Sequence, residues 1–213
     1  MIRASVARLF TNMGARGLIV GGSGNVSGRT PDGMLITPTG GDPQSVAAMD
    51  LAAVTLDGFP LNDASASSEQ PMHSAVYRTV PDAAFIVHTH ADACTALACL
   101  GLDLPPFHYM VLQFGGNDVR CAPYVTFGTQ ALADHAAAAI EGRSACLLSN
   151  HGMIVCGPSV EQTIDRAVQL ETLCRQYLLA LAAGKPRLLT DEQIEAAKER
   201  FKTYRQREAA ICD

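Results

Sequence analysis

Tryptophan is absent from this chain, and so is any apolar run approaching the roughly 20 residues that a bilayer-crossing helix needs. No membrane association is expected. The seven cysteines, at positions 94, 99, 121, 146, 156, 174 and 212, are odd in number and form no Cys-x-x-Cys pair. That spacing argues against a disulfide framework or a cysteine metal site. Thiols inside apolar segments such as SACLLS and MIVCG fit buried free cysteines in a reducing cytoplasm. Positive charge is scarce as well: 16 Lys and Arg stand against 21 Asp and Glu, for a net charge of -5. The one basic cluster, Lys198 to Arg207, is interrupted by Glu199. Nucleic acid demands many phosphate contacts from Lys and Arg, so it is not an expected partner. No His-Glu-x-x-His motif, internal repeat or low-complexity tract is present.

What remains is the composition of a compact globular protein, 48% apolar and 17% charged, and residues 1–213 are expected to form a single domain. The arginine-bearing first segment could pass for a transit peptide. However, Ile2, Val6, Leu9, Phe10 and Met13 recur at helical spacing and predict a first helix. Two short strands should follow around a turn at Pro31-Asp32-Gly33, then a strand and hairpin in LAAVTLDGFPLN. Ser67-Ser68-Glu69 should open a helix running to about Thr79, and AAFIVHTH should form a buried strand followed by a short helix. VRCAPYVTFG is expected as a strand, TQALADHAAAAIEG as a helix capped by Thr129, and SACLLSNHGMIVCG as two strands meeting near His151-Gly152. A long helix from Ser159 to Ala183 and a last one opened by the capping box Thr190-Asp191-Glu192-Gln193 complete the chain. Strands interspersed with helices suggest an α/β sandwich around one mixed sheet.

Two of only six histidines, His88 and His90, sit one residue apart at the end of the buried strand. Side chains two apart on a strand point to the same face, so this pair can address one metal ion; alone it can equally be a pair of core or edge histidines. His151, next to Gly152, can be aimed inward from a turn. Glu69, at a helix start, can be a fourth ligand, a base or merely a helix-cap acid. Three histidines and a carboxylate are the ligand set of an open catalytic zinc site. A second set is rich in small donors: Gly24-Asn25, Thr39-Gly40 and Ser67-Ser68. Backbone N–H groups freed by glycine, hydroxyls and a helix start can together hold a phosphate without Lys or Arg.

The motifs GNVSGR, MLITPTG, SSE, VHTHAD, FHYM with GGN, CAPYVTFGT, NHG and FKTY, in that order, resemble the class II aldolase/adducin family over about residues 17 to 204. The likeness is strongest to members that cleave L-fuculose 1-phosphate. It implies a three-layer αβα sandwich around a central mixed, largely antiparallel sheet. It also implies one Zn2+ per subunit held by His88, His90, His151 and Glu69, with Glu69 leaving the metal to act as acid/base. By the same resemblance Gly24, Asn25, Thr39, Gly40, Ser67 and Ser68 form the phosphate pocket and Phe127 an aromatic wall. Tyr109 would enter the site from a neighbouring subunit of a homotetramer, and Tyr204 from a C-terminal segment. The implied activity is reversible cleavage of a ketose 1-phosphate, either L-fuculose 1-phosphate or a related deoxy or methylthio pentulose 1-phosphate, to dihydroxyacetone phosphate and an aldehyde. The same fold also serves L-ribulose-5-phosphate 4-epimerase, a sugar-acid phosphate decarboxylase, methylthioribulose-1-phosphate dehydratase and non-catalytic adducin-like modules. Val111-Leu112-Gln113-Phe114, Gln70-Pro71 and Asn150 depart from the fuculose pattern and are expected to reshape the aldehyde end.

Overall fold

The computed structural model describes the backbone of residues 1–209 and the side chains of residues 1–203. Helix α1 (Ile2–Ala15) buries Val6, Leu9, Phe10 and Met13 on one face. Removal of each of these side chains from water contributes about 1.5–3 kcal/mol. Strands β1 (Gly24–Thr30) and β2 (Gly33–Ile36) form the expected hairpin, and β3 (Ala52–Val54) pairs on its far side. Next come α2 (Gln70–Thr79), β4 (Phe85–Thr89) and α3 (Asp92–Cys99), then β5 (Cys121–Ala122), α4 (Gln130–Ile140), β6 (Ala145–Leu148) and β7 (Gly152–Gly157). Helices α5 (Val160–Ala183) and α6 (Asp191–Ala209) end the chain.

The sheet runs β3-β2-β1-β4-β7-β6-β5, antiparallel throughout except for the parallel β5–β6 pair. Its two faces follow strand parity. Val26, Val87, Leu147, Met153 and Val155 pack with α1, α3 and α5. Ile36, Ile86, Cys146, Leu148 and Ile154 pack with α2 and α4 on the opposite side. The result is the three-layer αβα sandwich around a mixed, largely antiparallel sheet.

Caps behave as their chemistry predicts. Thr129 Oγ1 accepts from Leu132 N, Ser159 Oγ accepts from Gln162 N, and Thr190 and Gln193 bond reciprocally as a capping box. Two expectations need correction. The strand foreseen in VRCAPYVTFG is only Cys121–Ala122, because Pro123 has no N–H to give the ladder. The turn before β7 is made by Asn150 in the left-handed region, φ 53°, rather than by Gly152. Gly152 is needed for close approach instead: a Cβ there would lie 2.3 Å from the Thr89 carbonyl oxygen.

Candidate metal centre and pocket

Strand β4 alternates, so Ile86 and His88 face α2 while Val87 and Thr89 face the other layer. His88 is fully buried, and its cross-strand partner is Asn25 on β1. His90 follows the strand end, and Asn150 turns the chain to deliver His151 from the neighbouring strand. The three imidazole centroids stand 4.8 to 5.0 Å apart. Glu69 immediately precedes α2 but makes no side-chain cap bond. Its Oε2 lies 2.8 Å from His88 Nε2 and its Oε1 lies 3.3 Å from His151 Nε2. The carboxylate therefore serves the histidines and not the helix end. Ligand atoms of Glu69, His88, His90 and His151 all fall within 4.8 Å of one another.

Whether this set suits a cation can be read from its protons. His88 Nδ1 is 2.8 Å from the Met153 carbonyl, an acceptor, so Nδ1 carries a hydrogen and Nε2 faces the cluster. That Nε2 is also 3.1 Å from His90 Nε2. Nitrogen lone pairs and a carboxylate at such distances need positive charge among them, supplied by a proton or a metal ion. Glu69 Oε1 is a buried oxygen with no hydrogen bond. Burial would raise the Glu69 carboxyl, but hydrogen bonding and charge from His88, with His151 and Asn25, outweigh it and hold the group at about 2. Burial first, and then His88, push His90 below its usual value and His151 down to about 4. The site thus offers imidazole nitrogens and an ionised carboxylate, a donor set that fits a divalent cation.

Beside the cluster opens a pocket of about 320 Å³ lined by all six of the small donors, Gly24, Asn25, Thr39, Gly40, Ser67 and Ser68. The loops close tightly here: a Cβ on Gly22 would lie 2.9 Å from the Gly40 Cα. Thr39 Oγ1 donates to Ala66 O and so ties its loop to the segment leading into α2, whose N-terminus adds its dipole at the pocket. Asn25 lines the pocket, but its amide is engaged below, with Glu69 and His73.

Phe127, 65% exposed, stands in the pocket wall, whereas Tyr109, 50% exposed, is not among the lining residues and packs on His108 and Phe201. The Tyr204 side chain lies outside the described residues. Leu112 and Phe114, expected to shape the aldehyde end, are buried and do not line this pocket. Sequence reasoning missed two residues. Tyr124 lines the pocket on the loop released by Pro123, and His73 lies beneath it. The only sequence signal for His73 was its place four residues after Glu69, on the same helix face.

Residues 4–178 match the family described as Class II Aldolase and Adducin N-terminal domain. A 5-methylthioribulose-1-phosphate/5-deoxyribulose-1-phosphate aldolase of Rhodospirillum rubrum is 44% identical over 198 residues, covering 93% of this chain and 88% of that protein. The L-fuculose phosphate aldolase of Escherichia coli is 42% identical over 189 residues, 88% of each chain. A solved L-fuculose 1-phosphate aldolase superposes with a TM-score of 0.89 at 34% identity, covering 94% of this chain and 96% of that one. With a matching order of motifs, the same layered sheet and the His and Glu cluster at its strand ends, the chain belongs to the class II aldolase and adducin family.

Proposed function

We propose that this protein is a zinc-dependent aldolase that reversibly cleaves a ketose 1-phosphate to dihydroxyacetone phosphate and an aldehyde. The substrate is L-fuculose 1-phosphate or a deoxy or methylthio pentulose 1-phosphate, as the names of its relatives suggest. The observation that carries this reading is the junction of one carboxylate and three imidazoles with a pocket of small donors. Such a junction suits a substrate that bears a phosphate at one end and a reacting carbonyl near it.

Zinc held by His88, His90 and His151 would supply the Lewis acid that offsets the charge left on C2 and C3 as the C3–C4 bond breaks. Backbone N–H groups of the Gly24 and Gly40 loops and the Ser67 and Ser68 hydroxyls would hold the phosphate. Phe127 would wall the site. In cleavage, a proton leaves the C4 hydroxyl, the C3–C4 electron pair moves onto the dihydroxyacetone phosphate fragment, and C3 takes up a proton. Glu69 would exchange the C3 proton. Tyr109 of a neighbouring subunit in a homotetramer would exchange the C4 proton, with Tyr204 completing the site. The half-exposed position of Tyr109 outside its own pocket supports that sharing. The six described cysteines, all free, accord with a cytoplasmic setting.

Glu69→Gln tests the assignment. It should retain metal through the histidines while cleavage falls by about 10²–10⁴-fold. A variant that holds metal and cleaves at the wild-type rate would contradict it.

A further inference from the structure

Glu69, just before α2, and His73 and Tyr77 on it follow at four-residue intervals and lie against the face of β1 that carries Asn25, Ser27 and Arg29 at two-residue intervals. Four helical residues rise about 6 Å and two strand residues about 6.7 Å, so the two series stay in step along their length. Tyr77 OH is 2.9 Å from Ser27 Oγ, Ser27 Oγ is 2.7 Å from His73 Nδ1, and His73 Nε2 is 2.6 Å from Asn25 Oδ1. Asn25 Nδ2 is 3.2 Å from Glu69 Oε2, and Arg29 lies over the Tyr77 ring, 4.6 Å from its centroid.

We propose that His73 is a positioning residue which, through Asn25, holds the Glu69 carboxylate oriented for proton exchange. This rests on the reading of Glu69 as the group that exchanges the C3 proton. An ionised carboxylate only accepts, so Asn25 turns Nδ2 toward Glu69 and leaves Oδ1 toward His73. Oδ1 accepts, so His73 carries its hydrogen on Nε2, and its bare Nδ1 accepts from the Ser27 hydroxyl, which in turn accepts from Tyr77. Every bond in the chain therefore donates in one direction, ending on Glu69. Reversing Asn25 would set an amide oxygen against the carboxylate.

Ser27, His73 and Tyr77 are buried and none of them lines the pocket, so water does not substitute for a partner lost among them. Burial, with the nearby His88, holds the His73 imidazole down at about 3, and burial keeps the Tyr77 phenol above its usual value. Both groups keep the protonation that this direction requires. His73 does not line the pocket, so it acts on the reaction only through its neighbours.

Two variants of the metal-loaded protein separate this role from packing. His73→Leu removes the donor, and His73→Gln keeps an amide N–H in its place. Loss of a residue that orients a ligand costs about 10- to 100-fold. His73→Leu should lower kcat by that factor with KM unchanged, and His73→Gln should restore most of it. The double variant with Asn25→Ala should be no slower than Asn25→Ala by itself. In metal-free wild-type protein, nitrogen-15 spectra of the histidines should place a single proton of His73 on Nε2. A proton on Nδ1, a wild-type kcat in His73→Leu, no recovery in His73→Gln, or an additive double variant would each overturn the inference. If His73→Leu does not fold, the nitrogen-15 result decides. Full activity of Glu69→Gln would instead remove the reading of Glu69 as the group that exchanges the C3 proton. An inactive Glu69→Gln beside a fully active His73→Leu would remove only this inference.

Discussion

A carboxylate one residue before a helix normally receives that helix's free N–H groups, and Glu69 does not: its oxygens turn to His88 and His151. No local rule predicts that choice, since a helix-cap acid and a ligand look alike in sequence. The pairing of His88 with His90 was legible because strand period fixes their common direction. His73 was not, because a single histidine on a helix reads as an ordinary core residue until its partner Asn25 is brought across from β1. Gly152 carried a readable signal with a misread cause. It gives room beside the Thr89 carbonyl and the His90 ring, where a Cβ would come within 2.3 and 3.0 Å respectively. Gly152→Ala should destabilise the fold by about 1–3 kcal/mol and displace His90. Metal retained per chain after dialysis should fall; retention equal to wild type would show that His90 does not depend on this approach.

At the level of elements, the layered arrangement was readable because each helix carries one apolar face and each long strand alternates or is buried on both sides. Pro123 was the residue that should have shortened the expected strand, and its effect reaches the pocket: the loop it releases carries Tyr124 and Phe127 into the lining. One support was not legible at all, because it joins residues almost 80 apart. Glu171 of α5 is buried, and its Oε1 and Oε2 accept from the backbone N–H groups of Ala93 and Cys94, each at 2.9 Å. It therefore caps α3, which begins two residues after His90. Glu171→Ala leaves two buried donors without partners and should cost about 1–3 kcal/mol in denaturant unfolding. An unchanged midpoint would mean that water reaches the start of α3.

Across the whole molecule, the histidine and carboxylate cluster and the hydrogen-bond chain beneath it tie stability to pH. His73 and His151 fall mainly through burial from an ordinary value of 6.5 to about 3 and about 4. Their folded values lie below the unfolded one, so the unfolded chain binds protons first as the solution is acidified. Their contribution is complete above about pH 6.5 and is lost progressively as pH falls toward the folded values. Glu69, held at about 2 against an ordinary 4.5, adds a further loss below about pH 4.5. The thermal midpoint of metal-free protein should therefore drop between pH 7 and pH 5, and drop less in His73→Gln, which removes one titrating group. Equal slopes for the two proteins would mean that His73 titrates in the fold as it does in the unfolded chain. In the proposed function the cluster and pocket together break a carbon–carbon bond. The most direct test is to measure release of dihydroxyacetone phosphate from a panel of ketose 1-phosphates by zinc-loaded and chelator-treated protein in parallel. The account predicts release from at least one substrate by the loaded protein and its loss on chelation. Release that survives complete metal removal, or none from any ketose 1-phosphate by fully loaded protein, would contradict it.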